Sequence, residues 1–162
     1  LAFIFLGIVY ITIPFILFFS CAVGFSDKLY HPQIILGYLF LLWANDTGAF
    51  ITGSLLGKHP LFERISPKKT WEGSVGGAFL VMVLVFINNK FFNEISLSGW
   101  IVIGVSVIFM GTFGDLVKSM MKRSLQVKDS GTILPGHGGI LDRFDSLIGS
   151  VPFVYASLTF QL

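Results

Sequence analysis

Charged side chains are scarce in this sequence. Only 12% of its 162 residues are charged and 54% are hydrophobic, whereas an ordinary soluble domain is about 25% charged. So few charges cannot cover a water-facing surface, which excludes a soluble globular domain. Intrinsic disorder is excluded as well, because it requires low hydrophobicity and high charge. With a mean hydropathy of +0.81, the composition indicates an integral membrane protein.

Cysteine is nearly absent. The single Cys21 excludes an intrachain disulfide framework and a cysteine-rich zinc site. It lies in an apolar run, and we expect it to be buried or to face lipid. The chain starts with Leu1 inside that same run and has no initiator methionine, so we expect a piece of a longer protein.

Long apolar runs are what the sequence has in abundance. A membrane-spanning helix needs about 20 mainly apolar residues, and five stretches approach this length. They predict an all-α, polytopic bundle of about five transmembrane helices, in one transmembrane domain over residues 1–162. Glycine pairs at positions 53/57 and 73/77 favour close helix packing. The five stretches are Phe3–Phe25, Gln33–Gly57, Ser74–Asn88, Ser98–Val117 and Ser146–Leu162.

The charges are unevenly distributed. Nine of the eleven basic residues lie in two polar segments, residues 58–72 and 115–145. The positive-inside rule places both segments in the cytoplasm, and five spans alternate sides consistently with that assignment. Most of the acidic residues lie in the same two segments, together with dense runs of Gly, Pro, Ser and His. We therefore expect the chemistry in these cytoplasmic segments.

The second segment opens with a polar helix face. If the helix from Ser98 continues, one face carries an acid, two lysines and two further polar residues, with Arg123 at its edge, and the opposite face is apolar. Such a stripe of one acid and two lysines at the membrane surface could carry chemistry. Basic residues that snorkel towards lipid headgroups would give the same pattern, and the residues alone leave both interpretations open. The stripe consists of Asp115, Lys118, Ser119, Lys122 and Gln126.

The rest of that segment combines glycines with acids. Glycines on both sides of His137 suit a loop whose backbone N–H groups approach an anion. Asp142 and Asp145 have the i, i+3 spacing of one helix face, and with Asp115 they could supply oxygen ligands to Mg²⁺. Loop acids paired with Lys and Arg are the alternative.

Two further features are polar. Ser66 precedes a proline and predicts a helix start, and Lys68 and Lys69 suit either a phosphate or the headgroups of anionic lipids. Asp46 lies inside an apolar stretch, where a carboxylate is costly unless it is paired or hydrated. Its polar neighbours predict a notch that opens towards the bundle interior, and a polar bridge between helices is the alternative.

A 27-residue string from Ser119 to Asp145 closely resembles the signature of the phosphatidate cytidylyltransferases (CDP-diacylglycerol synthases). Strings similar to two other family motifs occur at Ser66–Gly73 and Asp46–Ala49. The resemblance covers about residues 40–150, the C-terminal half of the family, so we expect the family's N-terminal helices to be missing here. The matched signature positions are Ser119, Lys122, Arg123, Lys128, Asp129, His137, Gly138, Gly139, Asp142, Arg143 and Asp145.

The resemblance implies transfer of CMP from CTP to phosphatidate, which gives CDP-diacylglycerol and pyrophosphate, with Mg²⁺ and room for a second metal ion. It implies catalytic roles for Asp115, Lys122, Arg123, Asp142 and Asp145, of which the three aspartates bind metal. Asp46 and Asp129 are further polar site residues. The substrate- and phosphate-binding residues implied are Ser66, Lys68, Lys69, Lys118, Lys128, His137, Gly138, Gly139 and Arg143.

The expected partners are CTP, phosphatidate and the lipid bilayer, without nucleic acid, and a homodimer is compatible with the sequence. The expected location is a bacterial inner membrane, with the active site facing the cytoplasm. A CTP-dependent lipid kinase of the dolichol kinase type is the nearest rival, because it shares nucleotide, metal and membrane. A transporter with Asp46 in its pathway is more remote, since the spans otherwise lack charge.

Overall fold

The computed structural model describes residues 1–23, 29–63, 65–124, 126, 142 and 144–161. Most of these residues are helical, which confirms the predicted all-α membrane fold, with one short hairpin in addition. The helices are α1 (Ala2–Ser20), α2 (Pro32–Leu56), α3 (Trp71–Phe91), α4 (Leu97–Ser106), α5 (Thr112–Ser124) and α6 (Asp145–Gln161), and the strands are β1 (Pro60–Phe62) and β2 (Ser66–Thr70).

Three helical stretches of the described residues are long and apolar enough to cross a membrane. They are Pro32–Leu56, Trp71–Phe91 and the continuous Leu97–Ser124, and they correspond to three predicted spans. Helices α1 and α6 coincide with the other two predicted stretches, and the count of five spans stays a prediction.

The core lies where α2, α3, α4 and α6 meet. The Trp100 ring of α4 is fully buried against Gly37 of α2, where a Cβ atom would clash with the indole. Two polar contacts tie helices together: Tyr38 and Ser150 share a hydrogen bond of 2.6 Å, and Asn88 Nδ2 donates to the Gly37 carbonyl at 3.1 Å. Cys21 is buried at the edge of this core, as expected.

Glycines hold α2 and α3 close together. A Cβ atom on Gly77 would lie 2.7 Å from the Asn45 carbonyl oxygen, and one on Gly73 would lie 2.8 Å from that of Ala49. Real Cβ atoms do not approach that closely, so only glycine permits this helix spacing. The predicted close packing is confirmed for Gly73 and Gly77, and the middle of α2, with Asn45 and Ala49, lies against the start of α3.

The predicted helix start at Ser66 is wrong. Ser66 and Pro67 belong to β2, which pairs antiparallel with β1. A residue before proline is biased towards an extended backbone, and this bias prevails here. The helix starts at Trp71 instead, and Thr70 caps it by accepting a hydrogen bond of 3.1 Å from the Gly73 N–H.

Glu72 binds the residues that precede the hairpin. Its carboxylate accepts hydrogen bonds from the backbone N–H groups of Lys58 (3.2 Å) and His59 (3.3 Å) and contacts the His59 ring at 2.6 Å. A carboxylate in the first turn also suits the positive end of the helix dipole. The hairpin therefore has a fixed position at the N-terminus of α3.

Two expectations about the second polar segment are also wrong. The helix ends at Ser124, and Gln126 lies beyond it with a φ of 57°, so Gln126 is not on the polar helix face. Helix α6 starts at Asp145, so Asp142 precedes the helix and does not share a face of it. A π-helical turn, Val107–Gly111, joins α4 to α5 and was not expected either.

The described parts of both charge-rich segments lie at one end of the bundle. Lys69 of β2 forms an ion pair with Asp115 of α5. At the opposite end the chain is poor in charge, and there the His31 N–H donates to the Ala22 carbonyl at 2.6 Å. The fold thus agrees with the charge segregation that the sequence shows.

Candidate active site

A cavity of about 330 Å³ opens at the charged end of the bundle. The hairpin, α2, α3, α5 and the start of α6 all contribute to its walls. Five predicted site residues from three separate segments line it, together with residues that were not predicted. The lining residues are Asn45, Asp46, Ala49, Phe50, Ser66, Lys68, Lys69, Thr70, Gly73, Ser74, Thr112, Asp115 and Ser146.

Lys69 and Asp115 link the two charge-rich segments across this cavity. The Lys69 ammonium contacts Asp115 Oδ2, and each side chain is partly exposed. Asp46 lies close enough to interact electrostatically with both groups, and it lines the same cavity. One cation and two carboxylates therefore face a common space at the end of the membrane-spanning helices.

A third carboxylate lies beside Asp115. Helices α5 and α6 touch through Gly114 and Gly149, where a Cβ atom on Gly114 would lie 2.6 Å from the Gly149 Cα. This contact brings Asp145 next to Asp115. Burial and the Asp115 charge raise the pKa of Asp145, which precedes the apolar part of α6, to about 6. Two neighbouring carboxyl groups of this kind favour a shared proton or a bound cation.

Asp142 belongs to a second group of charges. Its Oδ1 atom lies 2.9 Å from the Lys122 ammonium and 3.5 Å from that of Lys118. Ser119 on the same helix donates a hydrogen bond of 3.4 Å to Asp115. The predicted polar face of α5 is therefore real from Asp115 to Lys122, and its two lysines converge on one carboxylate.

The predicted metal ligands are only partly brought together. Among the described residues, no three His, Cys, Asp or Glu side chains form a group that could hold a metal ion. Asp115 and Asp145 are neighbours, whereas Asp142 faces lysines. Mg²⁺ is usually held by one or two carboxylates with waters and substrate phosphates, so the Asp115–Asp145 pair fits this ion. The metal set of three aspartates stays a prediction.

Of the remaining predicted site residues, only Arg123 belongs to the part of the chain that the structure describes. Arg123 is exposed near the end of α5, and no role follows from its position. The rest of the predicted loop lies outside the described residues, and these positions stay predictions. They are Lys128, Asp129, His137, Gly138, Gly139 and Arg143.

The sequence interpretation missed four hydroxyl side chains in the cavity wall: Thr70, Ser74, Thr112 and Ser146. Ser74 and Thr112 also donate to backbone carbonyls one turn earlier, at 3.2 Å and 2.7 Å. Such bonds satisfy a hydroxyl inside an apolar helix. Their only signal in the sequence is a small polar residue near the charged end of an apolar run.

The chain belongs to the cytidylyltransferase family, whose family model matches residues 1–161. Several bacterial relatives are named phosphatidate cytidylyltransferase. The one from Haemophilus influenzae is 44% identical over 135 residues, which are 80% of this chain and 47% of that protein.

Two staphylococcal relatives match more of the chain. The Staphylococcus aureus protein is 42% identical and the Staphylococcus haemolyticus protein 44% identical, each over 155 residues. These matches cover 94% of this chain and 57% of each relative. The chain thus spans about half the length of the curated relatives that it matches. The predicted family is confirmed.

Proposed function

We propose that this chain carries the catalytic site for transfer of CMP from CTP to phosphatidate, which yields CDP-diacylglycerol and pyrophosphate. The observation that carries the proposal is the cavity in which Lys68, Lys69, Asp46 and Asp115 meet at the charged end of the membrane helices. The names of the bacterial relatives support the same reaction. A site in this place meets a soluble nucleotide from one side and a lipid from the other.

The reaction needs little covalent help from the protein. An oxygen of the phosphatidate phosphate attacks the α-phosphorus of CTP, and the bond to pyrophosphate breaks. The attacking oxygen already carries negative charge, so no serine, cysteine or strong base is required. The main obstacle is repulsion between two anions, and positioning with electrostatic stabilisation removes most of it in phosphoryl transfer.

The residues divide this work between them. Lys68 and Lys69 suit phosphate oxygens. When substrate enters the cavity, the Lys69 ammonium leaves Asp115 and binds a substrate phosphate instead. Asp115 and Asp145 would hold Mg²⁺, which would supply positive charge to the substrate phosphates. Lys118 and Lys122, held by Asp142, give further positive charge next to the site.

The same proposal includes the setting of the enzyme. The described parts of the two charge-rich segments lie together at one end of the bundle, and the positive-inside rule assigns that end to the cytoplasm. Bacterial relatives support an inner membrane. The homodimer that the sequence allows stays a prediction.

Labelled CTP tests the reaction. Membranes that contain the protein are incubated with phosphatidate, Mg²⁺ and CTP labelled at either the α- or the γ-phosphorus. We expect only the α-label in the lipid phase, and only when phosphatidate is present. Lipid that carries the γ-label would identify a lipid kinase instead, and absence of both labels from the lipid would contradict the proposal.

A further inference from the structure

An apolar cleft of about 260 Å³ lies beside the charged cavity. One wall is the hairpin and the start of α3, with Leu61, Phe62 and Trp71. The other wall is the π-helical turn and α5, with Ile108 and Phe113 among its residues. The cleft is almost purely hydrocarbon, so it does not suit a nucleotide or a phosphate.

The cleft and the cavity share two wall residues. Ser74 of α3 and Thr112 of α5 line both spaces. Asp115, which lines the cavity, lies three residues beyond Thr112 on the same helix. A polar and an apolar compartment are therefore next to each other, separated by two small hydroxyl side chains.

The cleft follows its helix for most of the depth of one membrane leaflet. Its wall residues on this side run from Ile108 to Leu116, which at about 1.5 Å per residue is about 12 Å. Half of a bilayer's hydrocarbon core is about 15 Å thick. The aromatic rings at the rim, Phe62, Trp71 and Phe113, are each about half exposed, so the cleft opens sideways towards lipid.

We propose that this cleft holds one acyl chain of the lipid whose phosphate occupies the charged cavity. The inference rests on the proposed function, since it takes phosphatidate as the lipid. An amphiphile with a phosphate head and an apolar tail matches both compartments and their shared wall.

The cleft acts by positioning. An acyl chain in the bilayer is already in an apolar medium, so the cleft gains little from burial as such. Its effect is to fix the glycerol and the phosphate relative to Lys69 and Asp115. A displacement of about 1 Å at a reacting centre can lower a rate by about two orders of magnitude.

Filling the cleft tests this positioning role. Ile108→Trp fills it from the helix side and Leu61→Trp from the hairpin side, so that failure of one variant to fold leaves the other. Val105→Trp is the matched control, because Val105 lies one turn earlier on the helix and is exposed outside the cleft. Activity is measured with long-chain phosphatidate and with a short-chain, water-soluble phosphatidate.

We expect each filled variant to lose about tenfold in kcat/KM with the long-chain lipid, through misplacement of its phosphate. With the short-chain lipid we expect a loss of less than about twofold, with an unchanged KM for CTP. The control should match the unsubstituted protein with both lipids. Equal losses with both lipids, or no loss with either, would overturn the inference.

Photocrosslinking separates the inference from the proposed reaction. A phosphatidate with a diazirine in one acyl chain is irradiated with the protein, and the labelled residues are identified by mass spectrometry. Label on the cleft walls that Ile108→Trp removes supports the acyl-chain site, even if no CMP transfer is found. Label elsewhere would overturn it, and so would loss of a dimer in Ile108→Trp, since a second copy would then be the occupant.

Discussion

Asp115 and Asp142 both face lysines, but their surroundings differ. Asp115 lines the open cavity, meets Lys69 from the distant hairpin and has the Asp145 carboxyl beside it. Asp142 faces Lys118 and Lys122 from α5. Among the described residues, Asp115 thus has a second carboxyl beside it, whereas Asp142 has two lysines, of which Lys118 also interacts with Asp145. The first group is suited to a cation, and the second is suited to holding lysines in place for an anion.

The largest effect is expected at Asp115. Asp115→Asn removes the carboxylate that pairs with Lys69 and is proposed to bind Mg²⁺. We expect a loss of about 1,000-fold in kcat/KM, at the upper end for removal of one electrostatic group, and a higher Mg²⁺ concentration for half-maximal activity. Glu63→Gln, an exposed acid of the hairpin region outside the cavity, is the control and should keep full activity.

Asp142→Asn should have a smaller and different effect. It removes a carboxylate that faces two lysines, so their positions change while the proposed metal pair stays intact. We expect a loss of about 30-fold in kcat/KM, below the roughly 100-fold or more that follows removal of a group that acts directly on the transition state, with an unchanged Mg²⁺ dependence. A shift in Mg²⁺ dependence as large as that of Asp115→Asn would make Asp142 a ligand and would break the comparison.

Lys122→Ala tests the cationic side of the Asp142 group. A lysine that contacts substrate phosphate contributes more than a surface charge, and we expect a loss of about tenfold or more in kcat/KM, mainly through KM for CTP. Lys90→Ala, at the C-terminal end of α3, is the control. An effect on expression alone, with normal kinetics, would contradict the phosphate role.

The smallest effect concerns the packing that brings Asp145 to Asp115. Gly114→Ala places a methyl group against the backbone of Gly149, and overpacking of this kind costs about 1–3 kcal/mol. Thermal unfolding in detergent measures it. Gly7→Ala is the control, because a Cβ atom there meets nothing within 4 Å. If both variants unfold at the same temperature, the two helices can separate without cost.

The sequence predicts the contacts within α5 better than the contacts that Asp115 makes with other segments. Helical periodicity places Asp115, Lys118 and Lys122 on one face of α5, because that relation is local. The pairing of Lys69 with Asp115 joins positions in different segments, and no periodicity contains it. The hairpin around Ser66 is missed because a proline next to a serine is compatible with a helix start as well as with a strand.

Composition and charge predict the membrane fold and the charged end more fully. Apolar length and charge segregation are averaged over many residues, so a single local exception changes little. The cavity wall depends on single side chains such as Thr112, whose position follows from how α5 is rotated. That rotation depends on the π-helical turn. Nothing in the apolar run Val107–Gly111 distinguishes this turn from ordinary α-helix in the sequence.

This π-helical turn sets the angle at which α5 continues from α4. A π-helical turn accommodates an extra residue within an α-helix, and one residue of α-helix corresponds to a rotation of about 100°. If Val107–Gly111 formed regular α-helix instead, all that follows would turn by about that angle relative to α4. Asp115 would then swing away from Lys69 while the span kept its composition and hydropathy. The contact between Lys69 and Asp115 thus depends on one extra residue in the helix, which substitutions that preserve polarity leave untouched.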